Sequence, residues 1–408
     1  MLIRRNLAVV VFGLWLVAPS GVFAQAADPG APPSTVRLRF GPLFLNPMLG
    51  LTNLGIDDNV FNDPVTGNPE SDFTMTVTPA ADLWLRFGPT WIGSNIREDL
   101  VYYQKFESER SANTSIRLNW TIPFNRLVLV PGMTYLNTNA RPGFEIDTRA
   151  PRVEWGYNGA LELRVGSNTY LGLRGDRRTT EFDQTAEFDG TNLSDELNRT
   201  VTNAGFTFRL QATPLTSITF DVSTEQDRFE FSPARNTDST RFDAGVKFDP
   251  AALIKGSAVI GYRDFRPLSS AVPGYQGTTA AVDLSYVLQD STRFTLTIGR
   301  DVEYSYDVDQ PYYLQTGLTG SISQQIYGPV DVVGRIGGQR LEYRDRAGAP
   351  VAAPDRTDHV MSYGGGIGYH MGRDVRIGFN IDKQQRDSAV DSKQYNGLRY
   401  GISVIYGL

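Results

Sequence analysis

"SIRLNWTI", residues 115–122, alternates without a break. Ile116, Leu118, Trp120 and Ile122 fall on one face of an extended chain, and Ser115, Arg117, Asn119 and Thr121 on the other. A period of two marks a strand with one apolar and one polar side. The pattern recurs on either side of this segment. Val153, Trp155, Tyr157, Leu161 and Leu163 oppose Glu154, Asn158, Glu162 and Arg164, and Phe206, Phe208 and Leu210 oppose Thr207, Arg209 and Gln211. Ile218, Phe220 and Val222 oppose Thr219, Asp221 and Ser223, and Phe242, Val246 and Phe248 oppose Arg241, Asp243 and Lys247. Near the C-terminus Val375, Ile377, Phe379 and Ile381 oppose Arg376, Asn380 and Asp382. No stretch of similar length has helical periodicity.

Short polar turns separate these segments: "FGPT" at 87–90, "PFNR" at 123–126, "GSNT" at 166–169, "TPLTS" at 213–217, "DPAALIK" at 249–255, "QDST" at 289–292, "YGPV" at 327–330 and "MGRD" at 371–374. Gly, Pro, Asn and Asp supply the backbone angles and local hydrogen bonds that tight turns need. Longer connections lie between them, such as "DDNVFNDPVTGNPES" from Asp57, "NARPGFEIDTRA" from Asn139 and "DRAGAPVAAPDR" from Asp345. Eight short turns and nine long loops give about eighteen strands from Pro47 onward, or sixteen if the weak first strand does not form. The predicted fold is all-β, a transmembrane antiparallel up-and-down barrel, with short turns in the periplasm and long loops outside. A soluble β-sandwich would also alternate. Against it stand strands of a dozen residues or more, where about 5–6 is usual in globular sheets. Aromatics beside the turns, Trp84, Trp91, Tyr170, Phe294, Tyr327 and Tyr369, suggest an interfacial girdle.

Composition agrees. The 408 residues include no cysteine, which excludes a small disulfide scaffold. Hydrophobic residues make up 40% of the chain and mean hydropathy is −0.28. A barrel hides its lipid-facing half in such averages. A net charge of −6 with no basic run argues against nucleic acid as a partner. At the N-terminus Arg4 and Arg5 precede an apolar run from Leu7 to Val17, and Val22 and Ala24 sit where a signal peptidase expects small residues. The expected organisation is a secretory signal peptide at 1–24, a periplasmic segment at 25–46 and the outer-membrane barrel at 47–408.

The chain closes on "NGLRYGISVIYGL", residues 396–408, still alternating. A barrel's last strand must pair with its first. A terminal strand with apolar and aromatic outward positions resembles the signal read by the outer-membrane assembly machinery, with Tyr406 and Leu408 in the two terminal positions. A second resemblance lies near the other end, in "LNPMLGLTNLGIDDNVFNDP" from Leu45 and "SDFTMTVTPAADLWLRFG" from Ser71. Pro47, the run Asp57 to Phe61, Ser71, Asp72 and Pro79 resemble the hallmark of outer-membrane β-barrel porins found with exopolysaccharide biosynthesis and export genes, the EpsL-like proteins. That resemblance implies a passive conduit for exopolysaccharide export, with outer-membrane lipid and polysaccharide-export components as partners. It brings no catalytic residues. A general small-solute diffusion porin and a non-transporting structural barrel are the alternatives.

Chemical motifs are sparse. Asp57, Asp58, Asn59 and Asp63 lack the full spacing of a Ca²⁺ loop and read as a solvated turn after the first strand. The only histidines, His359 and His370, fall near opposite ends of one predicted strand, so neither a paired metal site nor a barrel hydrolase is expected. No enzyme, metal or cofactor is predicted. Basic residues are almost all arginine, mixed with acids in "GDRRTTEFD" from Gly175, "YRDFR" from Tyr262 and "QRLEYRDR" from Gln339. Such mixtures read as a cross-strand lattice of ion pairs or as a mouth for a polyhydroxylated chain. Alternation places Arg117, Glu154, Glu162, Arg164, Arg209, Asp221, Arg241, Asp243, Lys247, Asp283, Arg376 and Asp382 on the lumen side. Their mixed signs predict at most a mild cation preference.

Overall fold

The computed structural model describes residues 36–407 except 65, 251, 290 and 352. The expected signal peptide, most of the expected periplasmic segment and Leu408 lie outside the described residues. Eighteen strands form the barrel. The first nine are β1 (Leu43–Asp57), β2 (Asp72–Phe87), β3 (Thr90–Tyr103), β4 (Ser111–Pro123), β5 (Leu127–Thr138), β6 (Arg152–Arg164), β7 (Thr169–Phe182), β8 (Arg199–Thr213) and β9 (Thr216–Phe229). The rest are β10 (Thr237–Phe248), β11 (Ile254–Pro267), β12 (Tyr275–Leu288), β13 (Thr292–Tyr304), β14 (Tyr312–Tyr327), β15 (Val330–Arg344), β16 (Thr357–Met371), β17 (Val375–Asp387) and β18 (Tyr395–Tyr406). Each pairs antiparallel with its neighbours in sequence, and β18 returns to β1. β1 starts at Leu43, ahead of Pro47, because Leu38–Phe40 folds back on Leu43–Leu45 and extends the edge of the sheet. The eight short turns join strands at one end and the nine loops at the other. At Gly88 a positive φ of 60° ahead of Pro89 lets two residues reverse the chain.

The seam between β1 and β18 is irregular. Leu49 faces Tyr406 and Asp57 faces Arg399, but the register shifts between Leu51 and Leu54, where Asn53 takes a left-handed φ of 52°. A bulge of this kind adds a residue and sharpens the local bend. Beside it β18 comes so close that a Cβ on Gly55 would lie 1.9 Å from the carbonyl oxygen of Tyr400.

Strands of 12 to 16 residues exceed the ~9–11 needed to cross a bilayer, so the wall projects beyond it. The faces are inverted relative to a soluble protein. Ile260 is 64% exposed and Ile367 52% on the outside, while Ser223 and Asp358 are buried within. A soluble sandwich would bury its apolar face, so that reading is excluded. Phe294, Tyr327 and Tyr369 are exposed beside short turns, as a girdle requires. Trp84, Trp91 and Tyr170 are not part of it. Trp84 and Trp91 share their strand faces with Thr76 and Arg97, which line the interior, and the Arg209 guanidinium lies 3.7 Å from the Tyr170 ring centre. Closeness to a turn does not settle which side of the strand a ring takes; parity along the strand does.

Candidate functional site: the lumen and its crossing loop

A cavity of about 1700 Å³ runs inside the barrel from the short-turn rim to the loop ends of strands such as β3 and β5. Pro123, Pro214, Leu215 and Pro250 line it at the turn rim, and Arg141, Gly143, Phe144, Asp147 and Arg149 roof it. All five roof residues belong to the loop 139–151 between β5 and β6. That loop does not stay at the surface. Phe144 packs with Tyr313, Leu341, Tyr343 and Val360 on β14 to β16, and Tyr313 stands half-way around the ring from β5. Ile146 and Ala150 join a second apolar cluster with Phe182, Leu193, Leu197 and Tyr306. Burying these groups stabilises the crossing at roughly 1.5–3 kcal/mol for each large side chain.

Polar anchors fix the same loop. Arg386 Nη1 donates to the carbonyl oxygens of Phe144 (3.3 Å) and Glu145 (3.0 Å) and to Asp147 Oδ2 (2.9 Å). The Ser305 hydroxyl donates to Glu145 Oε1 at 2.6 Å and the Tyr306 N–H to Oε2 at 3.2 Å. Asn62 Nδ2 donates to Asp147 Oδ1 (3.1 Å), and Arg141 Nη2 to the carbonyl oxygen of Val60 (2.8 Å). Burial pushes the Glu145 carboxyl up to about 7, although Ser305, Arg356 and Arg386 oppose the rise. Burial also raises Asp147, against the pull of Arg386 and Arg141. The other loops tie into this roof: Arg235 Nη2 donates to the Asp307 carbonyl oxygen (2.8 Å), Tyr306 to Asp189 (2.9 Å) and Gln310 to Asp345 (2.7 Å).

Arg117, Glu154, Glu162, Arg209, Lys247, Asp283, Arg376 and Asp382 line the large cavity. Several are already paired: Glu154 with Arg152 (3.0 Å), Arg209 with Glu162 (2.9 Å), Asp382 with Arg335 (2.8 Å) and Arg376 with Asp331 (2.6 Å). Arg241 lies 2.6 Å from Asp301, and Arg263 bridges Asp301 (2.8 Å) and Glu225 (2.7 Å). Asp221 accepts from Thr207 and is 3.9 Å from Arg174, and Asp243 is half-buried on the adjoining strand. Arg164 instead closes a short turn, donating to the carbonyl oxygens of Gly166 (3.1 Å) and Ser167 (2.9 Å). Arg263 lies in "YRDFR", one of the arginine-and-acid segments read as a lattice of ion pairs, and it forms that lattice with Asp301 and Glu225; Arg263, Asp301, Glu225 and Glu303 are not among the residues named for the lumen. Alternation in "TEQDRFEF", "YRDFR" and "GRDVEY" could have placed each of them on the inner face, but not the nearness of Glu303 to the crossing loop.

Asp57 and Asn59 do not form a solvated turn. Both are buried: Asp57 pairs with Arg399, and Asn59 Oδ1 accepts from the Asp63 N–H (2.8 Å) while its amide donates to the carbonyl oxygens of Asp63 and Asn396. The motif fastens the first loop to the last strand. His370 Nε2 is 2.7 Å from Asp331, while His359 is exposed at the other end of β16. No group of three or more His, Cys, Asp or Glu able to hold a metal occurs among the described residues. Tyr406 faces outward and pairs with Leu49 and Val375.

A closed barrel with an apolar outer wall, a polar interior and an inward-folded loop defines an outer-membrane β-barrel of the porin type. The profile of the family described as "Putative beta-barrel porin 2" matches residues 32–406, and the chain belongs to that family. No curated protein matches the chain. Among solved structures it is similar to OpdK of Pseudomonas aeruginosa, with 10% identity over 89% of this chain and 98% of that one and a TM-score of 0.47. OccK9 (OpdG) and OccK2 (OpdF) of the same organism have the same coverage and TM-score at 12% and 11% identity. No substrate follows from likeness at this level.

Proposed function

We propose that the protein is a diffusion pore for small polar solutes, with its long loops outside the cell. The observation that supports it best is the loop 139–151, pinned across the lumen by Arg386 and Glu145. A wide, polar vestibule under a narrow roof admits small solutes and retards polymers. The second reading, a conduit for exopolysaccharide working with export components, draws on the resemblance carried by Pro47, Asp57 to Phe61 and Pro79 and on the size of the vestibule. It requires the loop to swing away.

Liposome swelling with a series of sugars separates the two. Entry of monosaccharides with exclusion of long oligosaccharides supports the small-solute pore. Passage of long oligosaccharides would favour the conduit, and failure to swell with any sugar a structural barrel.

A further inference from the structure

Beside the roof lies a second cavity of about 50 Å³. It shares Gly143, Arg152 and Glu154 with the vestibule, and its other lining includes Phe182 and Leu197, at the foot of the loop 183–198. One water needs roughly 10–15 Å³ of such space, so this cavity holds only a few. Its polar lining is compact: Glu145 from the crossing loop faces Arg152 and Glu154 on β6, Arg199 on β8 and Glu303 on β13.

The charges there do not cancel. Arg152 and Glu154 are joined at 3.0 Å and neutralise each other. Among the residues that line the cavity, Arg199 is then left with Glu145 and Glu303, one guanidinium for two carboxyl groups; the arginines behind them, Arg235, Arg356 and Arg386, are paired with Glu196, Asp358 and Asp147. Glu303 Oε1 and Arg199 Nε are buried without a hydrogen-bond partner, so both have capacity for a passing solute or its water. The vestibule has no such excess of one sign, since Arg117 and Lys247 on its wall are matched there by Asp283 and Asp176. Fields are focused where low-dielectric walls stand closest, and charges across a wide aqueous space are screened over about 10 Å at 0.1 M salt.

We propose that this narrow cavity, rather than the vestibule, selects what crosses the barrel, and that Glu145 and Glu303 make it favour small cations and cationic solutes over anions. The inference rests on the pore reading above. Glu145 also makes the preference depend on pH. The groups facing it are the Ser305 hydroxyl and Tyr306 N–H of the loop 305–311, Arg235 of the loop 230–236, Arg356 of the loop 345–356, Arg386 on β17, and the phenols of Tyr313 and Tyr343 on β14 and β15. Because burial raises its carboxyl to about 7, Glu145 carries its charge on the alkaline side. Cation preference therefore grows as pH rises.

The test is the reversal potential of the purified protein in planar bilayers under a potassium chloride gradient, at about pH 9 and about pH 5, on either side of that ionisation. The native protein should favour potassium at the higher pH and lose most of that preference at the lower. Glu303→Gln and, independently, Glu145→Gln should reduce the potassium-to-chloride permeability ratio severalfold at the higher pH, and Arg199→Gln should raise it. Arg117→Gln should shift it less than any of these. Heat-modifiable migration of each variant checks that the barrel has formed. Anion preference at the higher pH, or a larger shift from Arg117→Gln than from Glu303→Gln, would overturn the inference and leave the pore reading intact. Absence of conductance at both pH values would overturn both.

Discussion

Arg386 and Asp147 lie 239 residues apart in the chain, yet their side chains meet at 2.9 Å inside the barrel. Arg386 is among the most deeply buried side chains of the protein and also pairs with Asp358 on the neighbouring strand. One guanidinium thus joins the wall at β17 to the loop that crosses from β5 and β6. It is a fork with donors enough to satisfy a carboxylate on the wall and another on the loop together with two backbone carbonyls.

Replacing Arg386 by Gln should free the roof. Removing one member of a buried ionic network leaves the others desolvated and unpaired, at a cost of about 3–5 kcal/mol. Here the loop can relieve that cost by lifting Asp147 into water, while Asp358 keeps Arg356 at 2.6 Å. The barrel should still assemble, and single-channel conductance should rise, with larger sugars entering in the swelling assay. Unchanged conductance with a normally folded barrel would show that Arg386 does not hold the loop.

A pH response of the roof follows from Glu145. Its carboxyl is raised from an ordinary value near 4.5 to about 7 in the docked loop. A raised value means that docking is most stable below about 4.5, weakens as pH rises through about 7, and is then poorer by roughly 3 kcal/mol at 1.36 kcal/mol for each pH unit. Asp147 is shifted in the same direction. Hydrogen exchange of backbone amides in 139–151 should therefore speed up between about pH 5 and about pH 8 beyond the intrinsic base-catalysed rise. Glu145→Gln should flatten that extra dependence, and a flat profile in the native protein would remove the basis for it.

The barrel was legible in the chain because its information is local. Ile116, Leu118, Trp120 and Ile122 declare an outer face within eight residues, and a pair such as Gly88 and Pro89 declares a turn within two. Facing of the aromatics was also available. Tyr170 has the parity of Arg174, and counting back from that arginine would have placed its ring inside. The roof is different in kind. "NARPGFEIDTRA" has the polarity of a surface loop, and what draws Phe144, Glu145 and Asp147 inward is Tyr313, Ser305 and Arg386, all more than a hundred residues further on. Only the apolar Phe144 and Ile146, flanking an acid in a long connection, hinted at burial. No period or spacing could name their partners.

The seam offers a test of closure. A methyl group on Gly55 would lie 1.9 Å from the Tyr400 carbonyl oxygen and 2.5 Å from the Gly401 Cα, backbone atoms that cannot move without breaking the β1–β18 pairing. Gly55→Ala should therefore cost more than the about 1–3 kcal/mol of ordinary overpacking, because unpaired backbone groups at an open seam have no water in lipid. Gly159→Ala, with nothing within 4 Å of its added carbon, is the matched control. The first should reduce the folded, heat-modifiable species in the outer membrane and the second should not. Equal yields would show that the seam has more slack than its geometry allows.

Orientation is open to a direct test. Short connections suit the periplasmic side, and long ones the outside. An epitope inserted into "GAPVAAPD" at 348–355 lies beyond the tether between Arg346 and Asp309 (2.6 Å), and placed at Gly348 it also precedes the bond from Gln310 to the Ala353 carbonyl oxygen (3.2 Å). Antibody should reach it on intact cells. An epitope in "YGPV" at 327–330 sits at the opposite rim, beside the exposed ring of Tyr327, and should bind antibody only after the outer membrane is permeabilised. Labelling of the second site alone on intact cells would reverse the orientation. It would then place the open vestibule, rather than the loop roof, towards the medium.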